Sequence, residues 1–270
     1  MRSNRIKQLW REGKPAIGGF LSIPSVFSAE VMAHTGLDWL CIDMQHGCID
    51  YADALPMLTA ISTTAVTPLV RVPWNEPSMI MKVLDTGAYG VIVPMVSNRA
   101  EAERAVAACR YPPVGMRSNG PNRAVLYGGA DYQKHADREM ACIVMIETAE
   151  GIDKMEEIIS TPGVDAVYIG PTDLALALGA AAGDGQRRPQ ACGHRQPHPR
   201  DLPPPQGGGR HPHRQLEVHA ALYRPGLRHG DAGARPAGDG ELCEGGSGAA
   251  HGLDAAGACL LRDWAAARIR

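Results

Sequence analysis

The first two thirds of the chain repeat one pattern: a short apolar run of strand length, then a stretch in which apolar and polar positions mix at helical spacing. The apolar runs fall at residues 16–22, 39–43, 68–72, 90–94, 142–147 and 166–170. Each reads as a buried strand. The stretches at 26–34, 52–59, 78–86, 99–109 and 151–160 read as helices. Strand and helix in alternation predict parallel βα units of an α/β fold, and six units lie mostly about 25 residues apart.

Beyond Gly179 the pattern stops. The stretch GAAAGDGQRRPQACGHRQPHPRDLPPPQGGGRHPHRQ is dominated by Gly, Ala, Arg, Pro and His. All five lysines (Lys7, Lys14, Lys82, Lys134 and Lys154) precede it, and seven of the ten histidines follow Gly179. From Ala180 onward the only β-branched aliphatic residues are Val218 and Ile269, too few for a buried parallel strand. The chain therefore divides into a strand–helix region, 1–179, and a tail, 180–270. Two origins for the tail stand side by side. One is a natural linker, kept from forming a core by its Pro and Gly. The other is a GC-rich gene read in a shifted frame. Codons for Leu227 to Leu242, LRHGDAGARPAGDGEL, can be chosen so that a neighbouring frame reads GFAMVTLGRDLPAMVSS, with a strand and a helix start. On that reading HPHR is no metal site and GGG no phosphate loop.

Composition narrows the function. A chain of 270 residues with 44% hydrophobic positions can bury a core. Its net charge of −2 lacks the basic excess that advertises a nucleic-acid or membrane-surface partner, which leaves a small molecule. No apolar run reaches the roughly 18 residues of a membrane helix, and MRSNRIKQLWREGKP has no apolar signal core, so a cytoplasmic location is expected. The seven cysteines show no CxxC spacing. Cys41, Cys109 and Cys142 fall in apolar stretches and are expected as packed free thiols.

Parallel α/β folds gather their functional groups at the C-terminal ends of strands. The second run ends in Asp43, followed by Met44, Gln45 and His46; the third, in PLVRVP, carries Arg71. The fifth ends at Glu147 in CIVMIETAEG, and Asp173 follows the sixth in VYIGPTDLALALG. Neighbouring strands lie about 4.8 Å apart, so these two carboxylates could share one hard divalent cation. One acid–base residue, one cation and two anions suit the holding and breakdown of an oxo acid. Each residue also has a plainer reading. His46 could be structural, Arg71 could pair with a rim carboxylate, Glu147 could cap the next helix, and Asp173 could be an N-cap. Their co-location at successive strand ends favours the functional reading.

With DMQHG, PLVRVP, KVLDTGAYGVIVPMV, RYPPVGMRSNG, MIETAEG and GPTDLALALG in this order, the first 180 residues resemble the HpcH/HpaI aldolase family. These are metal-dependent pyruvate aldolases, such as 4-hydroxy-2-oxoheptanedioate aldolase and 2-dehydro-3-deoxyglucarate aldolase. The resemblance implies a TIM (β/α)8 barrel that cleaves a 4-hydroxy-2-oxo acid to pyruvate and an aldehyde. It implies Glu147 and Asp173 as ligands of Mg²⁺, Mn²⁺ or Co²⁺, and Arg71 as partner of the keto oxygen. His46 becomes the acid–base group, with Asp85 orienting its ring. The turn containing Gly170, Thr172 and Asp173 would hold the substrate carboxylate through backbone N–H groups. A homo-hexamer is also implied, although helices that build it have no counterpart after Gly179.

Two local departures stand out: the family commonly has Glu at Gln45 and Gln at Met145. The rival chemistries are a Schiff-base aldolase, which needs a lysine at a strand end, and an acyl-CoA ester lyase of the same superfamily. A third possibility is a truncated, catalytically defective barrel with two open edges. The aldolase reading carries one mutational expectation, that Arg71→Ala abolishes turnover with little loss of folding.

Overall fold

In the computed structural model, which describes residues 1–179, each of the six apolar runs is a strand. They are β1 (Gly18–Leu21), β2 (Trp39–Asp43), β3 (Thr67–Arg71), β4 (Gly90–Val93), β5 (Ala141–Ile146) and β6 (Ala166–Ile169). All neighbours pair in parallel, in chain order from β1 to β6. The sheet curls into a half-barrel, a TIM-type barrel with six of its eight strands among the described residues. The tail assigned to 180–270 lies outside those residues.

The curl separates two apolar layers. Along β2, Leu40 and Ile42 pack outward with the helices, while Trp39 and Cys41 point into the barrel. The period-two alternation of strand side chains produces this split, and burial on both faces explains why polar positions in the runs are confined to or near their C-terminal ends. Trp39 fills the interior opposite Gly18, its register partner, where any Cβ would collide with the indole ring. Phe20 stands edge-on to Trp39, with ring centroids 5.9 Å apart.

Helices α2 (Val26–Ala33), α3 (Tyr51–Ile61), α4 (Pro77–Asp85) and α5 (Arg99–Cys109) agree with the expected spans to within a few residues. Local chemistry starts them. Ser25 and Asn98 accept N–H bonds as N-caps, Asp50 forms a capping box with Asp53, and Pro77 opens α4 where its missing N–H costs nothing. The helix expected at 151–160 is two, α8 (Ala149–Asp153) and α9 (Met155–Ile159), which meet at a non-helical Lys154.

Four helices escape the apolar pattern: α1 (Arg5–Arg11), α6 (Asn122–Gly128), α7 (Tyr132–Glu139) and α10 (Pro171–Ala177). They are seven or eight residues long and lie outside the regular alternation of apolar runs and helical stretches. Helix α1 closes the N-terminal end of the half-barrel by placing Ile6 and Trp10 in the interior layer. Asn4 holds it there. Its side chain caps α1 through the Ile6 and Lys7 N–H groups and donates to the Tyr89 and Glu139 carbonyls at 2.9 and 2.7 Å. The four described cysteines, Cys41, Cys48, Cys109 and Cys142, are free thiols, and all but Cys48 are buried. Among the described residues no helix is long and apolar enough to cross a membrane.

Candidate active site

Asp43 and Arg71 are direct register partners at the ends of β2 and β3. Their side chains join edge to edge. Arg71 Nε donates to Asp43 Oδ1 at 2.9 Å and Nη2 to Oδ2 at 2.6 Å. Oδ1 also accepts the Gln45 and His46 backbone N–H groups at 3.1 and 3.2 Å. Burial alone would raise the Asp43 carboxyl, but the bond and charge of Arg71 and the two N–H groups outweigh it and hold the carboxyl below its ordinary range. Arg71 Nη1 has only the Met145 sulfur, 3.9 Å away, and the guanidinium carbon lies 5.1 Å from the Phe20 ring centroid. One end of the guanidinium is thus left for a ligand.

Glu147 follows β5 and is almost wholly buried. Its Oε1 accepts the Met95 N–H at 2.8 Å, while the buried Oε2 has no partner. Met95 adopts a left-handed backbone with φ of 57° to present that N–H, a conformation that non-glycine residues take at a cost. Gly170, next after β6, is what lets the following turn come close. A Cβ there would stand 2.6 Å from Glu147 Oε2 and 2.5 Å from Met145 Cε. Asp173 lies in the first turn of α10, which has Gly170 as N-cap and no side-chain cap on its N–H groups. Burial raises the Glu147 pKa, the Met95 N–H lowers it, Asp173 raises it, and the charges of Arg71 and His46 lower it. Groups from four strand ends therefore act on one carboxylate.

A family model described as HpcH/HpaI aldolase/citrate lyase matches residues 17–188. The chain belongs to this family. It is 47% identical over 178 residues to a hydroxypyruvate/pyruvate aldolase from Rhizorhabdus wittichii, covering 66% of this chain and 71% of that protein. A 5-keto-4-deoxy-D-glucarate aldolase of Escherichia coli is 39% identical over 178 residues, covering 65% and 70% respectively. Among solved structures, a HpcH/HpaI aldolase/citrate lyase family protein from Burkholderia cenocepacia J2315 superposes with a TM-score of 0.64 at 40% identity. That match covers 68% of this chain and 75% of the other.

Within this HpcH/HpaI half-barrel, the residues singled out from sequence separate into two groups. Arg71, Glu147, Gly170, Thr172 and Asp173 lie at or just beyond strand C-termini, and His46 is exposed on the turn after β2. The cap readings of two of them do not hold. Thr148 caps α8, not Glu147, and Gly170 occupies the N-cap of α10, not Asp173. Asp85 belongs to the other group. It ends α4, before β4 begins, at the opposite end of the sheet from His46, and its carboxylate is bonded to Arg117 Nη2 at 2.7 Å. Within a single chain the structure does not bring Asp85 to His46. Asp43 is the carboxylate joined to the His46 turn, and it was not among the site residues expected from sequence.

No lysine lies at a strand end. Lys7 pairs with Asp165, just before β6 begins, at 2.7 Å, and the others lie on helices or turns. Among the described residues no three His, Cys, Asp or Glu side chains are grouped to hold a metal. Glu147 and Asp173 are a pair of oxygen donors. One has a buried orphan oxygen, a fit to a hard cation that completes its sphere with water and substrate oxygens.

Proposed function

We propose that this chain carries the site of a divalent-metal-dependent aldolase that cleaves a 4-hydroxy-2-oxo acid to pyruvate and an aldehyde. The observation that carries the reading is the Glu147 carboxylate. It is buried, has one oxygen unpartnered, faces the Gly170 turn, and lies within the electrostatic reach of Asp173 and Arg71. A buried acceptor left bare is costly unless a ligand or cation meets it. The relatives' names, hydroxypyruvate/pyruvate aldolase and 5-keto-4-deoxy-D-glucarate aldolase, support the reaction class.

Glu147 and Asp173 would hold Mg²⁺, Mn²⁺ or Co²⁺, which when bound supplies Lewis-acid polarisation of the 2-keto oxygen. The protein's own groups supply the rest. The first-turn N–H groups of Thr172 and Asp173 receive the substrate carboxylate. His46 takes the proton of the 4-hydroxyl, directly or through water, and the C3–C4 bond breaks. The aldehyde leaves and negative charge collects on the keto oxygen of the enolate, where Arg71 Nη1 stabilises it more than in the ground state, until C3 takes up a proton to give pyruvate. Gly170 keeps the turn against Glu147, and Met95 holds the other carboxylate oxygen in place.

The tail belongs to the same proposal. A shifted frame after Gly179 would deprive the barrel of its last two strands and expose β1 and β6 as edges. On that reading a frame-corrected chain is an active oligomeric aldolase, and the chain as written is a weak one. Titration with Mn²⁺, read by the electron paramagnetic resonance of the free ion, tests the metal site without turnover. One ion should bind per chain, and Glu147→Gln and Asp173→Asn should each abolish binding. Unchanged Mn²⁺ affinity in both variants would remove these residues from the role.

A further inference from the structure

We infer that Asp43 is a positioning residue that fixes Arg71 so that only the Nη1 end of its guanidinium meets the substrate. The inference deepens the aldolase reading and rests on it. The geometry is specific. Asp43 takes the side edge of the guanidinium, Nε at 2.9 Å and Nη2 at 2.6 Å. A planar fork gripped on that edge cannot rotate about its long axis without breaking both bonds. What remains is the end formed by Nη1 and the outer hydrogen of Nη2. Nothing better than the weakly accepting Met145 sulfur, at 3.9 Å, competes for Nη1.

Three further contacts make the arrangement stiff. Asp43 Oδ1 is anchored by the Gln45 and His46 N–H groups, so the carboxylate cannot follow the arginine if a ligand pulls on it. Gly47 closes the same turn against the Asp43 carbonyl, where a Cβ would not fit. Phe20 covers one face of the guanidinium, and its ring is itself stacked edge-on against Tyr168 and Trp39 at 5.7 and 5.9 Å. A side chain as long as arginine has high rotamer entropy when free. Asp43 removes that freedom before the substrate arrives, which is the condition for a donor to favour developing charge over ground-state charge. The same carboxylate sets the start of the turn that carries His46. One buried group thus registers the charge-stabilising cation against the acid–base residue.

The test uses the full chain, Mn²⁺, and oxalate as a planar mimic of the pyruvate enolate. Oxalate affinity is measured by calorimetry in four proteins at a temperature where all are folded: wild type, Asp43→Asn, Arg71→Lys and the double variant. Asn keeps an oxygen for the two turn N–H groups but cannot accept both arms of the fork. If Asp43 works through Arg71, Asp43→Asn weakens oxalate about tenfold or more in the wild-type background, as expected for loss of one oriented donor. In the Arg71→Lys background it costs less than about threefold, since the fork is already gone. Mn²⁺ affinity stays within about twofold throughout, because Asp43 is not a ligand.

Equal losses in both backgrounds would overturn the inference and assign Asp43 to the fold alone. So would an Asp43→Asn chain that binds oxalate as wild type does. If Asp43→Asn is unfolded, Asp43→Ser replaces it, since serine also accepts the turn N–H and leaves the fork unpaired; the same comparison then decides. A wild-type chain that binds no Mn²⁺ would instead sink the metal site, a failure visible before any variant is made.

Discussion

Asn4 and Glu147 are both almost fully buried, at opposite ends of the half-barrel, and they are served very differently. Around Asn4, at the N-terminal ends of the strands, both side-chain atoms are bonded. Nearby, Asp165 joins Lys7 at 2.7 Å, Arg110 at 3.1 Å and the Cys142 N–H at 2.9 Å. Trp10 Nε1, the Tyr111 hydroxyl, and Arg117 Nε and Nη1 are the exceptions, buried without partners. At the C-terminal ends, Glu147 Oε2 and Gln45 Oε1 are both buried without partners, and Met95 is held left-handed. Asn4 and Asp165 are satisfied where the half-barrel is closed, and the Glu147 carboxylate keeps an oxygen that a ligand would complete. That asymmetry is what the placement of function at strand C-termini looks like in hydrogen bonds.

The comparison can be broken most sharply at Arg71. Its removal leaves Asp43, with 4% of its side chain exposed, as an unpaired buried carboxylate, which costs about 3–5 kcal/mol. Arg71→Ala should therefore abolish pyruvate release and, beyond the small loss of folding expected from sequence, lower Tm substantially. A variant with wild-type Tm would show that Asp43 finds another partner. At the other end, Asn4→Ala should cost about 2–4 kcal/mol through the lost cap and two orphaned carbonyls. Denaturant midpoints would fall while Mn²⁺ affinity in the folded protein is unchanged; a change there would mean that the two ends are coupled.

Gly170→Ala should do the reverse. The added Cβ meets Glu147 Oε2 at 2.6 Å, so Mn²⁺ affinity should drop at least tenfold for a stability loss of about 1–3 kcal/mol. Next comes pH. Glu147 has a folded pKa raised above its ordinary 4.5, so its contribution is present below 4.5 and lost as pH rises through the folded value. In chelator, Glu147→Gln should thus be more stable than wild type at neutral pH and lose that advantage on acidification. Asp43 runs opposite: its pKa is lowered, so its contribution is present above 3.8 and lost as pH falls below it. The smallest effect is at Met95. Met95→Gly relieves the left-handed backbone but adds chain entropy, so the net change should stay within about 1 kcal/mol.

The strands and the helices from α2 to α5 were legible in the sequence because apolar runs and helical spacing alternate densely there, and the caps Ser25, Asp50 and Asn98 that start three of these helices agree with that reading. Helix α1 was not, because its role is to plug the barrel with only Ile6 and Trp10, a pattern too sparse to read. In the site, Arg71, Glu147 and Asp173 followed from strand-end position alone. Asp43 was passed over because a carboxylate ending a strand says nothing of its partner, although its register with Arg71 was implicit in neighbouring parallel runs. Asp85 rests on a motif alone, and within one chain it lies at the other end of the sheet from His46. A motif names a residue, but the end of the barrel to which it belongs depends on whether it precedes or follows its strand.

Trp39 gives the half-barrel an optical probe. The indole is fully buried, and Phe20 is the single ring between it and Arg71, 5.9 Å from one and 5.1 Å from the other. Any anion that draws on the guanidinium must disturb that ring, and the near-ultraviolet dichroism of the indole would register the movement. Trp10, Trp74 and Trp264 contribute signals of their own; Trp74, more than half exposed, emits at longer wavelength, where a soluble quencher can remove it. Occupancy of the site could then be followed in unlabelled protein, with neither a chromogenic substrate nor a coupled assay.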